Sequence, residues 1–360
     1  MIGPSEVLPE WWGADPTGTH DSTAALVSAL TWASQQGARV RLGRGTYRFA
    51  QTLKLEGDGV QLVGAGVRQT TLQWEGDDEQ AIHVHHTEGP VTLVHDALLQ
   101  DFKLQGKAHS GGDADPTRFG IKVERATNGL LQRVFVHGFH SDLPHPPTTN
   151  PRERTGPLVD GAAASGIGIY LAEVYNWQVT HCATGSCRIG IATTIANACT
   201  IGPRNWFGWV RPGEGARAIL ATRTNALCIR ENMLEGTYVN LPGSWAESQI
   251  HHCRATQYLD NRHEGTRSEY AVAVTTHPGL WWSDAIRVTG NYVSGRWQDR
   301  PKCFLLDRLD AGVVQGNWCA TYGDADPYEF TAHQGGTVTG PNGHIRLGDV
   351  LDPDADALND

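Results

Sequence analysis

The stretch Leu259-Asp-Asn-Arg-His-Glu-Gly-Thr-Arg-Ser-Glu269 carries the densest set of catalytic-type side chains in the chain: Asp260, Arg262, His263, Glu264, Arg267 and Glu269. Glycoside hydrolysis needs two carboxyl groups flanking the scissile bond, one of them protonated. Glu264 and Glu269 could be that pair, or either could be matched with Asp115 or Asp160 if the fold brings those alongside. Elimination beside a uronate instead needs a base and a cation to neutralise the uronate carboxylate. His263 or Arg267 could be the base, with Arg118 or Arg188 as the neutralising cation. The residue types suit both reactions, and their spacing does not choose between them.

A second set of residues suits binding. Arg118 and Arg188 stand two residues before the small residue of a repeated segment, Glu269 takes the equivalent place, and Arg217 is adjacent to that column. Turned outward, such a line would grip carboxylate or sulfate groups bidentately; the competing reading is ion pairing to Asp115, Glu124 or Glu214. Trp206 and Trp209 lie in an apparent loop, and large exposed aromatics mark binding surfaces; with Tyr170, expected to face solvent, they are the candidate sugar contacts. His83, His85 and His86, and the run His251-His252-Cys253, have no further ligand at a metal-site spacing. Asp113 and Asp115 could touch calcium but fall short of six oxygens, so no metal or other cofactor is required, with Ca2+ the one candidate. The chain has no P-loop, no G-x-S-x-G and no dinucleotide fingerprint.

These residues must be positioned by repeats. Gly120-Ile-Lys-Val-Glu-Arg-Ala-Thr-Asn128 can be written above Gly168-Ile-Tyr-Leu-Ala-Glu-Val-Tyr-Asn176, and Gly190-Ile-Ala-Thr-Thr-Ile-Ala-Asn197 above Ala218-Ile-Leu-Ala-Thr-Arg-Thr-Asn225; Cys303 begins a looser copy. Each copy starts small, alternates apolar and other residues, and turns. Two further short apolar segments follow, as in Ala285–Gly295 and from Ala311 to Cys319. Period-two alternation punctuated by Gly and Asn reads as strands. Three strands and three turns per repeat predict a coil of parallel strands stacked on itself about eight to ten times. Ile121, Val123, Ile169, Leu171 and Ile191 would point inward; Lys122, Glu124 and Tyr170 would point to solvent. Asn at the bends would hold a left-handed backbone and bond to the next coil. Insertions at Gly106–Thr117, His140–Ala164, Asn205–Gly215 and Leu259–Glu269 all precede a repeat's first strand, and predict the walls of a groove along the first-strand face.

Before the coils, Asp21 or Ser22 is a helix N-cap and Ala24 to Gln36 one helix, with Leu26, Leu30 and Ala33 on one face and Gly37 past its end. The run Glu10-Trp11-Trp12-Gly13-Ala14, then Asp21-Ser22-Thr23-Ala24-Ala25, then Val40-Arg41-Leu42-Gly43-Arg44-Gly45-Thr46-Tyr47, resembles the opening of pectate-lyase-like right-handed β-helix proteins, especially that of bacteriophage tailspikes and related polysaccharide-degrading enzymes. Ser22 departs from a second Asp and Gly43 from a Pro. The ordered likeness covers residues 8 to 50, and the repeats extend it loosely to about residue 320. The resemblance implies an all-β fold, a single-stranded right-handed parallel β-helix with an N-terminal capping helix: a cap over 1–50, the β-helix over 51–325 and a C-terminal segment with an acidic tail over 326–360. It further implies a polysaccharide or oligosaccharide partner and a parallel homotrimer. The same scaffold carries hydrolases, lyases, epimerases and non-catalytic adhesins. The expectation is a polysaccharide-degrading enzyme acting on an extended, acidic glycan in the groove, with hydrolysis slightly ahead of elimination because carboxylates outnumber bases in the loops. A non-catalytic glycan-binding spike, or an epimerase or transferase, are the alternatives.

Composition limits the alternatives. A formal charge of −10 over 360 residues argues against general nucleic-acid affinity. No 18-residue apolar run predicts a membrane span, and no basic-then-apolar leader is visible; the expected extracellular or virion-borne location then means that a signal was removed, that export uses another route, or that the protein leaves within a virion. The seven cysteines are read as reduced core residues, with Cys199 and Cys228 stacked in neighbouring repeats.

Overall fold

The computed structural model describes residues 5–86, 93–107, 117–140, 166–208, 210, 216–235, 246–265, 268, 270–275, 283–294, 303–307, 309–321, 328–331, 338–339 and 343–346. Within them the chain winds into a right-handed parallel β-helix. One sheet, the first ladder, stacks Leu53–Leu55, Gln80–Val84, Phe119–Thr127, Ile167–Tyr175, Ile189–Thr194, Arg217–Thr222, Ala246–His251, Tyr270–Thr275, Phe304–Asp307 and Tyr328–Thr331, each parallel to the next. The second and third ladders join into one larger sheet, because Leu98–Gln105 and Leu130–His137 run through the corner between them. The repeat alignment holds in register: Ile121 pairs with Ile169, Ile169 with Ile191 and Ile191 with Ile219. Parallel pairing does not stop at residue 325; Tyr328–Thr331 extends the first ladder and Gly343–Arg346 the third.

The small residue that opens each repeat has a packing cause. A Cβ on Gly120 would lie 2.8 Å from Val136 Cγ1, and one on Gly190 only 2.6 Å from Thr184 Oγ1. The first-ladder strand enters the coil hard against the third-ladder strand, so a small side chain faces a larger one across the core. Ile121, Val123, Ile169, Leu171 and Ile191 are buried as their parity predicts. Stacked apolar columns of this kind drive the fold at about 25 cal/mol per Å2 buried.

The corners use left-handed backbone, mostly without glycine. Between second and third ladders the positive φ falls on Asp101, Arg133, His181, Arg204, Glu231 and Asp260, and on Gly290 and Gly316. From Arg204 onward a buried Asn follows the corner. Asn232, Asn261, Asn291 and Asn317 form a ladder in which the amide oxygens of Asn261, Asn291 and Asn317 each receive the backbone N–H and the side-chain N–H of the Asn one coil before, at 2.9–3.1 Å. These bonds offset left-handed corner residues that cost about 1–2 kcal/mol each. At the first-to-second corner Asn128 and Asn176 are left-handed as expected, but after Asn197 and Asn225 it is Ala198 and Ala226 that take that conformation.

The helix Thr23–Gln36 buries Leu26, Leu30 and Ala33 and ends at left-handed Gly37. Ser22 holds the N-cap position, but the bond to the first turn comes from Asp21, whose Oδ1 accepts the Thr23 N–H at 3.0 Å. The helix packs on Leu53–Leu55 and on the 3-10 turn Pro9–Trp12. The cysteine expectation needs correction twice. Cys303 and Cys319 form a disulfide across the core. Cys228 pairs in register with Thr200 rather than stacking on Cys199.

Candidate functional site

The third ladder presents the most distinctive surface. After each buried Asn comes a short strand whose first and third side chains point out and whose second points in. The sequences are Asn205-Trp-Phe-Gly, Asn232-Met-Leu-Glu, Asn261-Arg-His-Glu, Asn291-Tyr-Val-Ser and Asn317-Trp-Cys-Ala. Phe207, Leu234, His263, Val293 and Cys319 fill the core. Trp206, Met233, Arg262, Tyr292 and Trp318 therefore stack as one outward column, and Gly208, Glu235, Glu264 and Ser294 as the next. Tyr292 is 37% and Trp318 49% exposed, large values for aromatics.

The columns are cross-linked. Trp206 Nε1 donates to Glu235 Oε2 at 2.8 Å. Gly208 makes this possible, because the Trp206 indole lies over it; a Cβ there would meet the ring at 2.2 Å. Arg262 forms an ion pair with Glu264 on its own strand, and its guanidinium lies 5.6 Å from the Tyr292 ring centroid. Glu235 and Glu264 are direct neighbours in register, so their Cα atoms are about 4.8 Å apart, the spacing of paired strands. Two carboxylates and a row of flat side chains thus share one face, the equipment for gripping sugar rings.

Several expected site residues lie elsewhere. The segments containing Trp206 and Arg262–Glu264 are strands rather than loop insertions. Their corners at Arg204 and Asp260 are left-handed without Gly or Asn, which hides them from turn rules. Glu264 stands on the surface, but His263 beside it points inward. Its Nδ1 is 2.6 Å from Glu247 Oε2 and its Nε2 2.8 Å from the Tyr258 hydroxyl, which bonds Ser248 at 3.0 Å. His263 and Glu247 are both fully buried, so His263 cannot act as base on an external glycan. Arg188 and Arg217 are buried too, Arg217 donating through Nε to Gln249 Oε1 at 2.7 Å. They form no outward basic line. Arg118 pairs with Glu79 at 2.9 Å, an ion pair with a partner the sequence did not single out. Glu269, Arg267, Asp115, Asp160 and Trp209 lie outside the described residues. Glu235, Met233, Tyr292 and Trp318 were missed, although the recurring Asn-x-apolar-x signature is present in the sequence.

The first-strand face is not an open groove in its middle coils. Tyr170 has the outward parity expected but is buried, stacked on Phe119 with ring centroids 4.8 Å apart, and burial pushes its phenol up to about 12. Ala172, Ala192, Leu220 and Gln249 on the same face are buried as well. Nearer the cap the face is charged. His83 Nε2 lies 3.3 Å and Lys122 Nζ 3.0 Å from Glu124 Oε2. The hydrogen bond from His83, reinforced by Lys122, holds Glu124 down at about 2 despite its partial burial. His83 and His85 stack at 4.0 Å, and burial lowers both, His85 to about 4. Among the described residues no group of three or more His, Cys, Asp or Glu is arranged to hold a metal ion, and no helix is long and apolar enough to cross a membrane.

A stack of parallel coils closed by a helix and opened by Trp11-Trp12-Gly13 has a counterpart among known families. The profile described as "Rhamnogalacturonase A/epimerase, pectate lyase-like" matches residues 11–202, more than half of the chain. The chain belongs to this family. No curated protein sequence matches it. Among solved structures, this pectate-lyase-like chain is similar to DFA-IIIase from Arthrobacter chlorophenolicus A6 in complex with GF2, with TM-score 0.67, 12% identity and coverage of 96% of this chain and 90% of that one. It is also similar to PfbA, a surface adhesin of Streptococcus pneumoniae, with TM-score 0.65, 12% identity and coverage of 95% and 90%. The Dettilon tailspike protein has TM-score 0.58 and 16% identity over 96% of this chain. The chain spans less than two thirds of the viral proteins it matches, 62% of Geobacillus virus E2 ORF18 and 63% of the Dettilon tailspike. At these identities the likeness is one of fold.

Proposed function

We propose that this pectate-lyase-like chain binds an extended glycan along the third-ladder face and hydrolyses it between Glu235 and Glu264. The observation that carries the reading is the in-register column Trp206, Met233, Arg262, Tyr292 and Trp318 flanked by the two carboxylates. Aromatic faces take the apolar sides of sugar rings, and coils about 4.8 Å apart let one chain of sugars cross several of them. Glu264, in its ion pair with Arg262, is assigned the nucleophile; the more exposed Glu235 is assigned the acid and base. Strand spacing suits the separation of about 5–5.5 Å used by glycosidases that retain configuration. Hydrolysis is favoured over elimination because His263, a base suited to a lyase, is sealed in the core.

A second reading is a spike or adhesin that holds the glycan without cutting it. It is favoured by the satisfaction of both carboxylates, Glu235 by Trp206 and Glu264 by Arg262, and by aromatics that continue past them to Trp318. Either reading carries with it a location outside the cell or on a virion and a parallel trimer, which sedimentation of the purified protein tests.

The deciding experiment incubates the protein with a panel of neutral and acidic polysaccharides and follows binding, reducing ends and absorbance near 235 nm. New reducing ends without ultraviolet absorbance, lost in Glu264→Gln and Glu235→Gln while binding persists, support hydrolysis. Binding without cleavage supports the adhesin. Unsaturated products, or full activity in both variants, overturn the assignment.

A further inference from the structure

The groove between the capping helix and the first ladder is lined mostly by polar side chains. A cavity of about 390 Å3 opens there, within the size range of small-molecule sites of roughly 300–1,000 Å3. One wall is a single stripe of the helix, Val27, Thr31 and Ser34, at helical spacing. The other is the outer side of the first strand, with Thr52, Lys54 and Glu56, closed by Asp78. Val27 is the one aliphatic side chain in the lining; the rest are hydroxyls, the amide of Gln51, one cation and two carboxylates.

The lining is held in place from both sides. The Thr52 N–H and hydroxyl both donate to Asp78 Oδ2, at 2.9 and 3.1 Å. The Glu56 N–H donates to Ser34 Oγ at 3.3 Å, tying strand to helix. Glu56 Oε1 lies 3.1 Å from His85 Nε2, yet both atoms are buried without hydrogen-bond geometry between them. No ion pair among the described residues involves Lys54, which follows the column that continues through His83 and Lys122.

We infer that this groove binds a neutral sugar residue, either free or at the end of an oligosaccharide. Lys54 and the amide of Gln51 donate to ring hydroxyls, Glu56 and Asp78 accept from them, and the hydroxyls of Thr31 and Ser34 do either. One cation against two carboxylates makes the lining net negative, which disfavours a uronate. An apolar ligand would leave most of these groups desolvated without partners. The groove is separate from the third-ladder face, so the inference stands or falls independently of the hydrolysis proposed there.

The test uses the full chain and calorimetric titration with maltose, cellobiose and sucrose, alongside digalacturonate. Thr31→Trp fills the groove from an exposed helix position, and Lys54→Ala removes the cation; circular dichroism checks that both remain folded. Saturable binding of at least one neutral sugar, weakened tenfold or more in both variants and unchanged in Trp318→Ala, is the expected result. No binding of any neutral sugar, binding unaffected by Thr31→Trp or Lys54→Ala, binding lost in Trp318→Ala, or tenfold tighter binding of digalacturonate would overturn it.

Discussion

Glu247 and His263 face each other across the core in the same two columns that Cys303 and Cys319 occupy two coils later. One coil earlier the same columns hold Ala218 and Leu234, and four coils earlier Gly120 and Val136. One geometric slot between first and third ladders is filled in turn by a small-against-large contact, a buried hydrogen-bonded Glu–His pair and a disulfide.

The Glu–His pair can therefore be exchanged for its neighbour's solution. Glu247→Ala alone leaves His263 Nδ1 without its 2.6 Å partner in the core and should cost about 1–3 kcal/mol, the range for an unsatisfied buried polar group. Adding His263→Leu recreates the Ala218–Leu234 contact and should recover most of that loss. Urea denaturation of the two single variants and the double gives the comparison; a double variant no more stable than Glu247→Ala would show that the slots are not equivalent.

Gly190 is the tightest test of the small column. A Cβ there meets Thr184 Oγ1 at 2.6 Å and Ala218 O at 2.7 Å, the latter backbone that cannot swing aside. Gly190→Val should destabilise by about 3 kcal/mol through overpacking, whereas Ala218→Gly should cost about 1 kcal/mol or less by propensity and lost burial. Equal denaturation midpoints for Gly190→Val and the parent chain would refute this account of the repeat's first residue.

Asn261 sits within the buried amide ladder, accepting from the Asn232 backbone and side chain and donating to Ile229 O and Asn291 Oδ1. Asn261→Ala leaves buried donors on Asn232 unsatisfied. The expected loss is about 3 kcal/mol, from a penalty of roughly 1–3 kcal/mol per orphaned group. Faster amide exchange at Asn232 and its neighbours should accompany it; unchanged protection there would argue that the ladder is not cohesive.

Acid should weaken the cap end before neutral pH is far behind. Burial, aided by the charge of neighbouring His83, lowers His85 from 6.5 to about 4, and burial lowers His83 in the same direction. The unfolded chain takes up a proton near pH 6.5 that folded His85 accepts only near pH 4. Stability is therefore full above about 6.5 and drains as pH falls toward 4. Glu124, held at about 2 against an ordinary 4.5 mainly by His83, extends the loss below pH 4.5. Lys54, Glu56, Glu79 and Lys122 are the other charged neighbours of this cluster. Thermal melts from pH 7 to 4 should show the decline, and His85→Asn should flatten it between 6.5 and 4.5; a parent melting temperature constant over that interval would contradict the prediction.

The repeat was legible because period-two alternation and a recurring small residue survive in a single sequence, and Ile121, Ile169, Ile191 and Ile219 pair as their alignment requires. The capping helix was legible from Leu26, Leu30 and Gly37. The third ladder was harder. Its strands Trp206–Gly208, Met233–Glu235 and Arg262–Glu264 are three residues long, and their corners fall on Arg204, Glu231 and Asp260, types that carry no turn signal. The buried Asn after each corner is the mark that finds them. His263 was misread because charged neighbours on both sides suggested a surface, while parity sends it inward to Glu247. Tyr170 had the right parity, but outward from the coil is not the same as open to water.

A stack of nearest-neighbour coils loses structure from its ends inward. Here the helix Thr23–Gln36 shuts one end, and Cys303–Cys319 ties two walls of the prism covalently many coils later. Between these two guards, fraying has no cheap starting point. In a reducing solution the second guard is lifted, and the coils before it become open to unwinding from the side away from the helix.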